Sequence, residues 1–216
     1  MNFKIAPSML SADFANLERD LKKVEESGAD LLHLDIMDGH FVPNITMGPD
    51  QVAQLRKTTT LLFDVHLMIS EPLKYINQFA DSGADIITVH VESQGDIQAC
   101  IDAIVAKGVK PGLVLSPDTP VTLLEPYLDQ VSMILLMSVY PGFGGQSYIQ
   151  KTTEKIKACR KMINNRPIDL EIDGGVNFKN LKEIADAGAN IFVSGSCLFK
   201  GDMKENIKRF RKIIQE

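Results

Sequence analysis

The chain has 216 residues, with 28 acidic against 23 basic side chains and a formal net charge of −5. Hydrophobic residues at 44% and charged ones at 24% are ordinary globular proportions, which excludes a disordered or collagen-like chain. The mild acidity argues against electrostatic capture of nucleic acid, and no apolar run approaches the roughly 20 residues that cross a bilayer, so neither partner is expected.

The opening stretch MNFKIAPSML has no basic segment followed by a long apolar one, so no secretory leader is expected. From there β-rich runs alternate with amphipathic stretches. Strands are predicted at residues 3–7, 31–36, 61–67, 86–91, 111–115, 133–139, 168–172 and 191–194. Helices are predicted between and after them at 14–26, 50–57, 73–82, 96–107, 121–129, 150–163, 178–187 and 204–214. The first helix shows the pattern well, with apolar residues at Phe14, Leu17, Leu21 and Val24. The joints repeat as well: SGAD at 27–30 and again at 82–85, KGVK at 107–110, and AGAN at 187–190. Each glycine falls just past a predicted helix, where a left-handed cap suits it. Eight βα units of roughly 27 residues, with no linker between them, imply a single domain over residues 1–216. The fold class is α/β, a closed (β/α)8 TIM barrel. An open doubly wound sheet would want a glycine-rich turn after the first strand, and that position reads PSMLSADF.

Cys100, Cys159 and Cys197 are odd in number, far apart and without CxxC spacing. They are expected to be buried free thiols in a reducing cytosol, which places the protein in the cytoplasm.

Chemistry in such a barrel sits at the carboxyl ends of the strands. His33 and Asp35 lie two apart on one strand and therefore share a face. His66 on the next strand and Asp173 on the seventh can converge with them. A single histidine there would usually be a hydrogen-bonded core residue. Two histidines and two aspartates at four strand-end positions favour one divalent metal ion, with Zn2+, Fe2+, Mn2+ or Co2+ all suited to the mixed N/O set. His90 is expected to stand behind these residues or to face the substrate, and His40 to lie in a loop. Asp35 and Asp173 also permit two-base proton transfer, one removing a proton while the other returns one on the opposite face. A metal on the neighbouring carbonyl oxygen would stabilise the resulting negative charge. No organic cofactor is called for.

The run Pro141-Gly142-Phe143-Gly144-Gly145-Gln146 after strand six, Gly174-Gly175 after strand seven and Gly195-Ser196 after strand eight bring exposed backbone N–H groups together where barrel phosphate sites are built. The first of these loops is also a candidate lid. Met37, Met68 and Met137 are expected to form an apolar cap over the reacting carbons, although methionine serves equally as core filler.

The segments IAPSMLSADF, HLDIMDGHFVPNITMGP, DVHLM, SVYPGFGGQ, EIDGGV and VSGSCLF resemble, in order, those of the ribulose-phosphate 3-epimerase family, from Ile5 to about Phe199. The resemblance implies a ribulose-phosphate-binding barrel that interconverts D-ribulose 5-phosphate and D-xylulose 5-phosphate through a cis-enediolate. It makes His33, Asp35, His66 and Asp173 the metal ligands, with Asp35 and Asp173 also the acid/base pair. It assigns substrate contacts to Ser8 and His66, and the phosphate end to Gly142, Phe143, Gly144, Gly145, Gly174, Gly175, Gly195 and Ser196. It also implies a homo-oligomer. The sequence departs from many members at Tyr140, where they carry Asn, and a large phenol there could reshape the pocket. Close relatives act on D-allulose 6-phosphate, which makes that hexulose the alternative substrate. Decarboxylases and aldolases of related barrels carry a DxKxxD pattern, whereas here Met37 stands in the Lys position. A non-catalytic sugar-phosphate-binding protein would be free to lose one of the four ligands, and all four are present.

Overall fold

In a computed structural model of the chain, which describes residues 2–215, eight strands alternate with helices. The strands are β1 (Lys4–Pro7), β2 (Leu31–Met37), β3 (Leu62–Met68), β4 (Ile86–His90), β5 (Lys110–Leu115), β6 (Met133–Met137), β7 (Asp169–Asp173) and β8 (Ile191–Ser194). All pairings are parallel, in the order β1-β8-β7-β6-β5-β4-β3-β2. The ring closes between β1 and β2 through one parallel bridge, Ser8 to His33. This is the expected (β/α)8 barrel.

The α-helices are α1 (Leu17–Glu26), α2 (Pro49–Arg56), α3 (Ile76–Asp81), α4 (Ile97–Ala106), α5 (Thr152–Ile163), α6 (Leu181–Asp186), α7 (Ser196–Phe199) and α8 (Met203–Gln215). Two departures from the sequence-based expectation stand out. The helix predicted at 121–129 is a 3-10 helix, Val121–Tyr127, with Pro126 inside it. Proline lacks the N–H that an α-helix needs at that point. The segment after β8 forms the short α7 before the final helix, so the eighth unit carries two α-helices. The four joint glycines, Gly28, Gly83, Gly108 and Gly188, all have positive φ, as a left-handed cap requires.

The alternation of strand side chains sorts the core into two regions. Residues facing the helices, such as Leu32, Leu34, Phe63, Val65, Ile87, Ile172 and Phe192, form the continuous apolar layer between barrel and helices. The lumen is layered. Its floor is apolar, made by Ala6, Leu31, Ile86, Met133 and Ile191. Above that floor the buried residues include charged ones: His33, Asp64 and Glu171, then Asp35, His66 and His90. Buried charge is unfavourable unless it is paired or holds an ion, so this layer is where function is to be sought. Among the described residues no helix is long and apolar enough to cross a membrane.

Candidate metal and substrate site

β2 delivers His33 and Asp35, β3 delivers His66, and β7 ends on Asp173. Register sets Asp35 beside His66 and His33 beside Asp64. The four predicted ligands do converge. His33 Nε2 lies 3.4 Å from Asp35 Oδ1 and 3.8 Å from Asp173 Oδ2. His66 Nδ1 lies 3.5 Å and 4.0 Å from the same two oxygens. A tetrahedron with bonds of 2.0–2.1 Å has edges of roughly 3.3–3.4 Å, so these separations suit four donors about one small cation. His33 Nε2 and His66 Nδ1 have no hydrogen-bond partner although both are buried. Orphaned buried nitrogens are costly, and two aimed at two carboxylate oxygens meet a cation's requirement. The cluster can therefore hold a metal ion.

The ligands are held from behind. Asp64 Oδ2 is 2.5 Å from His33 Nδ1. Ser8 Oγ donates to Asp35 Oδ2 at 2.6 Å, across the seam where the barrel closes. Thr46 Oγ1 donates to the Asp35 carbonyl and accepts from Met37 N–H at 3.0 Å, fixing the end of β2. Asp38 anchors the loop that follows, accepting from the N–H groups of His40, Phe41 and Ser70.

Proton affinities in the cluster are driven apart. Burial raises the Asp35 carboxyl, but the charge and hydrogen bonding of His33 and His66 outweigh it and hold Asp35 well below the usual carboxylate range. Burial, reinforced by the neighbouring Asp35 charge, pushes Asp173 up to about 7. Burial brings His66 down to about 4. Two carboxyls with opposed preferences in one site are the arrangement that acid/base pairs use.

A cavity of about 320 Å3 opens above the cluster. Ser8, Asp35, Asp173, Met37, Met68 and Met137 line its inner wall, and Gly142 to Gly145, Gly174, Gly175, Gly195 and Ser196 line its outer part. His33 and His66 are fully buried and form no part of the cavity wall, including His66, for which a substrate contact was expected. The three methionines are at most 4% exposed. The glycine loop is tied down by Asn44, whose amide donates to the Gly142 carbonyl at 2.8 Å, and Phe143 is left exposed at the rim. Tyr140 lies outside the cavity wall, and its hydroxyl donates to Asp118 at 2.7 Å. Cys197 is half-buried and lines the cavity, whereas Cys100 and Cys159 are buried as expected; all three are free.

Sequence reasoning gave no role to Asp64, Glu171 or Glu92. Asp64 and Glu171 sit two residues before His66 and Asp173, and Glu92 two after His90. The period of two places Asp64 and Glu171 on their neighbours' side of the strand, whereas Glu92 lies beyond the end of β4 at His90.

Fold and site together define a barrel enzyme with a buried histidine–aspartate cluster beneath a glycine-rimmed pocket. A sequence model of the Ribulose-phosphate 3 epimerase family matches residues 4–199. The chain is 47% identical over 212 residues to the ribulose-phosphate 3-epimerase of Bacillus subtilis (strain 168), covering 96% of this chain and 98% of that one. It is 45% identical over 213 residues to the enzyme of the same name from Escherichia coli (strain K12), covering 97% and 95%. The protein belongs to the ribulose-phosphate 3-epimerase family. Among solved structures, 3-keto-L-gulonate-6-phosphate decarboxylase from Vibrio cholerae O1 biovar El Tor str. N16961 superposes with a TM-score of 0.78 at 13% identity, covering 100% of this chain and 98% of that one, a likeness of fold.

Proposed function

We propose that the protein is a metal-dependent epimerase that inverts C3 of D-ribulose 5-phosphate to give D-xylulose 5-phosphate, with Asp35 and Asp173 as its two proton-transfer groups. The observation that carries this reading is the convergence of Asp35 and Asp173 with His33 and His66 in one buried cluster that can hold a metal ion, beneath a cavity of about 320 Å3 rimmed by glycine loops. Asp35 is the carboxylate that takes the C3 proton in one direction. Asp173 delivers one to the opposite face. Ser8 keeps the Asp35 carboxylate in register through its hydrogen bond. His33, Asp35, His66 and Asp173 would hold a divalent ion, which when bound supplies Lewis-acid polarisation of the substrate carbonyl. Met37, Met68 and Met137 exclude water from the reacting carbons, so the planar intermediate left by proton loss is protonated by an aspartate rather than by solvent. The backbone N–H groups of the loops at 142–145, 174–175 and 195–196 hold the phosphate at the far end of the pocket.

The test is epimerisation of D-ribulose 5-phosphate and D-allulose 6-phosphate side by side, after chelation and after readdition of Zn2+, Fe2+, Mn2+ or Co2+. The expected result is higher kcat/KM on the pentulose, lost on chelation and restored by metal. Preference for the hexulose would move the substrate assignment. Full activity after exhaustive chelation would remove the metal from the reaction.

A further inference from the structure

Behind the ligand cluster runs a second chain of polar contacts that the proton transfer does not use. His66 Nε2 lies 2.9 Å from His90 Nε2. His90 Nδ1 lies 3.1 Å from Glu92 Oε2. The other oxygen, Oε1, accepts from the Ser116 N–H at 2.8 Å and from the Thr119 hydroxyl. Both histidine side chains are fully buried, and Glu92 is 26% exposed. The His90 ring is packed between the rings of Phe41 at 4.7 Å and His66 at 5.0 Å, so it is held in one orientation.

The direction of this chain follows from valence. A carboxylate only accepts, so His90 Nδ1 carries the hydrogen that points at Glu92. A neutral imidazole has one N–H, which leaves His90 Nε2 bare and able only to accept. His66 Nε2 must then carry the hydrogen between the two rings, and His66 Nδ1 is left as a lone pair. That nitrogen is one of the two orphaned atoms facing Asp35 and Asp173. We infer that Glu92 and His90 are positioning residues that set the His66 tautomer, and through it the affinity of the site for a divalent cation. The inference rests on the metal reading given above. It goes beyond that reading by assigning control of one ligand to a carboxylate near the surface, in the loop after β4.

Glu92→Gln tests it because the neighbours dictate how the amide must sit. Ser116 N–H and the Thr119 hydroxyl are donors to one terminal atom, so the Gln oxygen stays with them and its NH2 turns to His90. His90 Nδ1 must then accept, Nε2 carries the hydrogen, and the chain runs backwards. His66 Nε2 accepts and Nδ1–H points into the ligand cluster. His90→Gln is the conservative companion, since its amide can donate to Glu92 and accept from His66, keeping the original direction. Two readouts apply: the 15N shifts of the His66 ring in metal-free protein, and Zn2+ affinity by chelator competition. The expected result is a switch of His66 from Nε2–H to Nδ1–H in Glu92→Gln, with Zn2+ affinity reduced about 10- to 100-fold, and neither change of that size in His90→Gln. An unchanged His66 tautomer in Glu92→Gln overturns the inference, as does a switched tautomer with wild-type Zn2+ affinity. If the wild-type protein takes up no Zn2+, the metal reading fails, while the 15N spectrum still reports whether Glu92 sets the tautomer.

Discussion

Asp35 and Asp173 are the same residue type in one buried cluster, yet their surroundings separate them. Asp35 lies within 3.5 Å of a nitrogen on each of two imidazoles and accepts from Ser8, whereas Asp173 has lost water and faces a charged carboxylate. If they serve opposite faces of the substrate, removing one leaves half of the reaction. Asp35→Asn and Asp173→Asn are each expected to lower net epimerisation by at least about 10^3-fold, within the range that lost acid/base groups show. Deuterium from solvent should still exchange at C3 of one epimer in one variant. Epimerisation near the wild-type rate by either variant would sink the two-base assignment. Gly175 makes a separate case. Its φ is +67°, and a Cβ there would run into the Tyr148 backbone, 2.8 Å from Cα and closer still to the nitrogen. Backbone cannot move aside as a flexible side chain does, so Gly175→Ala has to separate the loop after β7 from the segment before α5. We expect a rise in KM for the sugar phosphate of about tenfold, with a smaller change in kcat, because phosphate-binding N–H groups move while the aspartates stay on their strands. Equal loss in kcat and kcat/KM would place the damage at the reacting carbons instead.

The first helix shows how an element is secured by charge. Asp20 in α1 is nearly buried, accepting from the Asp13 N–H at 2.9 Å, from Arg19 Nε at 3.0 Å and from Lys23 Nζ at 3.1 Å. Burial alone would raise this carboxyl, but the three donors bring it down to about 2 from an unperturbed 3.8. A carboxyl depressed by folding stabilises the protein above its unfolded pKa and loses that contribution as pH falls through the folded value. Asp20→Asn is therefore expected to cost about 1–2 kcal/mol at pH 7, after allowance for solvent around Arg19 and Lys23. The gap in urea unfolding between variant and wild type should be about half closed near pH 3. A gap independent of pH would assign the effect to lost geometry rather than to charge. Elements of this kind were legible to different degrees. The eight strands and four capping glycines could be read because β-rich runs and glycine just past a helix are local signals. The 3-10 helix at Val121–Tyr127 misled because its apolar spacing fits an α-helix while Pro126 denies it the hydrogen bonds. His33, Asp35, His66 and Asp173 were legible from the rule that barrel chemistry sits at strand ends. Asp64, Glu171 and Glu92 were not, because their roles depend on which strand lies alongside, and register is a property of the closed sheet. The hydrogen bond of Tyr140 was not legible for a related reason: its partner, Asp118, lies in the loop after another strand.

At the scale of the whole barrel, the ligand cluster spans the place where the sheet is least well joined. Seven neighbouring strand pairs share extended parallel ladders, but β1 and β2 share one bridge, at Ser8 and His33, with Asp30 N–H donating to the Ile5 carbonyl at 3.1 Å just before β2. Two of the strands that carry the cluster, β2 and β7, lie on opposite sides of that seam, with β1 and β8 between them. A cation shared by His33, Asp35 and His66 on one side and Asp173 on the other would close the ring by a second route. The unfolded chain scatters these four residues from position 33 to position 173, so it offers the ion little, and binding the folded state alone stabilises it by mass action. At free Zn2+ of 100 times Kd the gain is about 2.7 kcal/mol, which for a chain of this size raises Tm by roughly 5–11 °C. The location of the effect is the more telling part. If the ion braces the seam, amide hydrogen exchange should slow most in β1 and β2 when Zn2+ is added, and less in β4 and β5 on the far side of the ring. Uniform slowing would mean that the ion stabilises the fold only globally. In Asp173→Asn, which keeps the ligands on β2 and β3 but weakens the only one beyond the seam, the selective protection of β1 and β2 should disappear even at Zn2+ concentrations that saturate the remaining three.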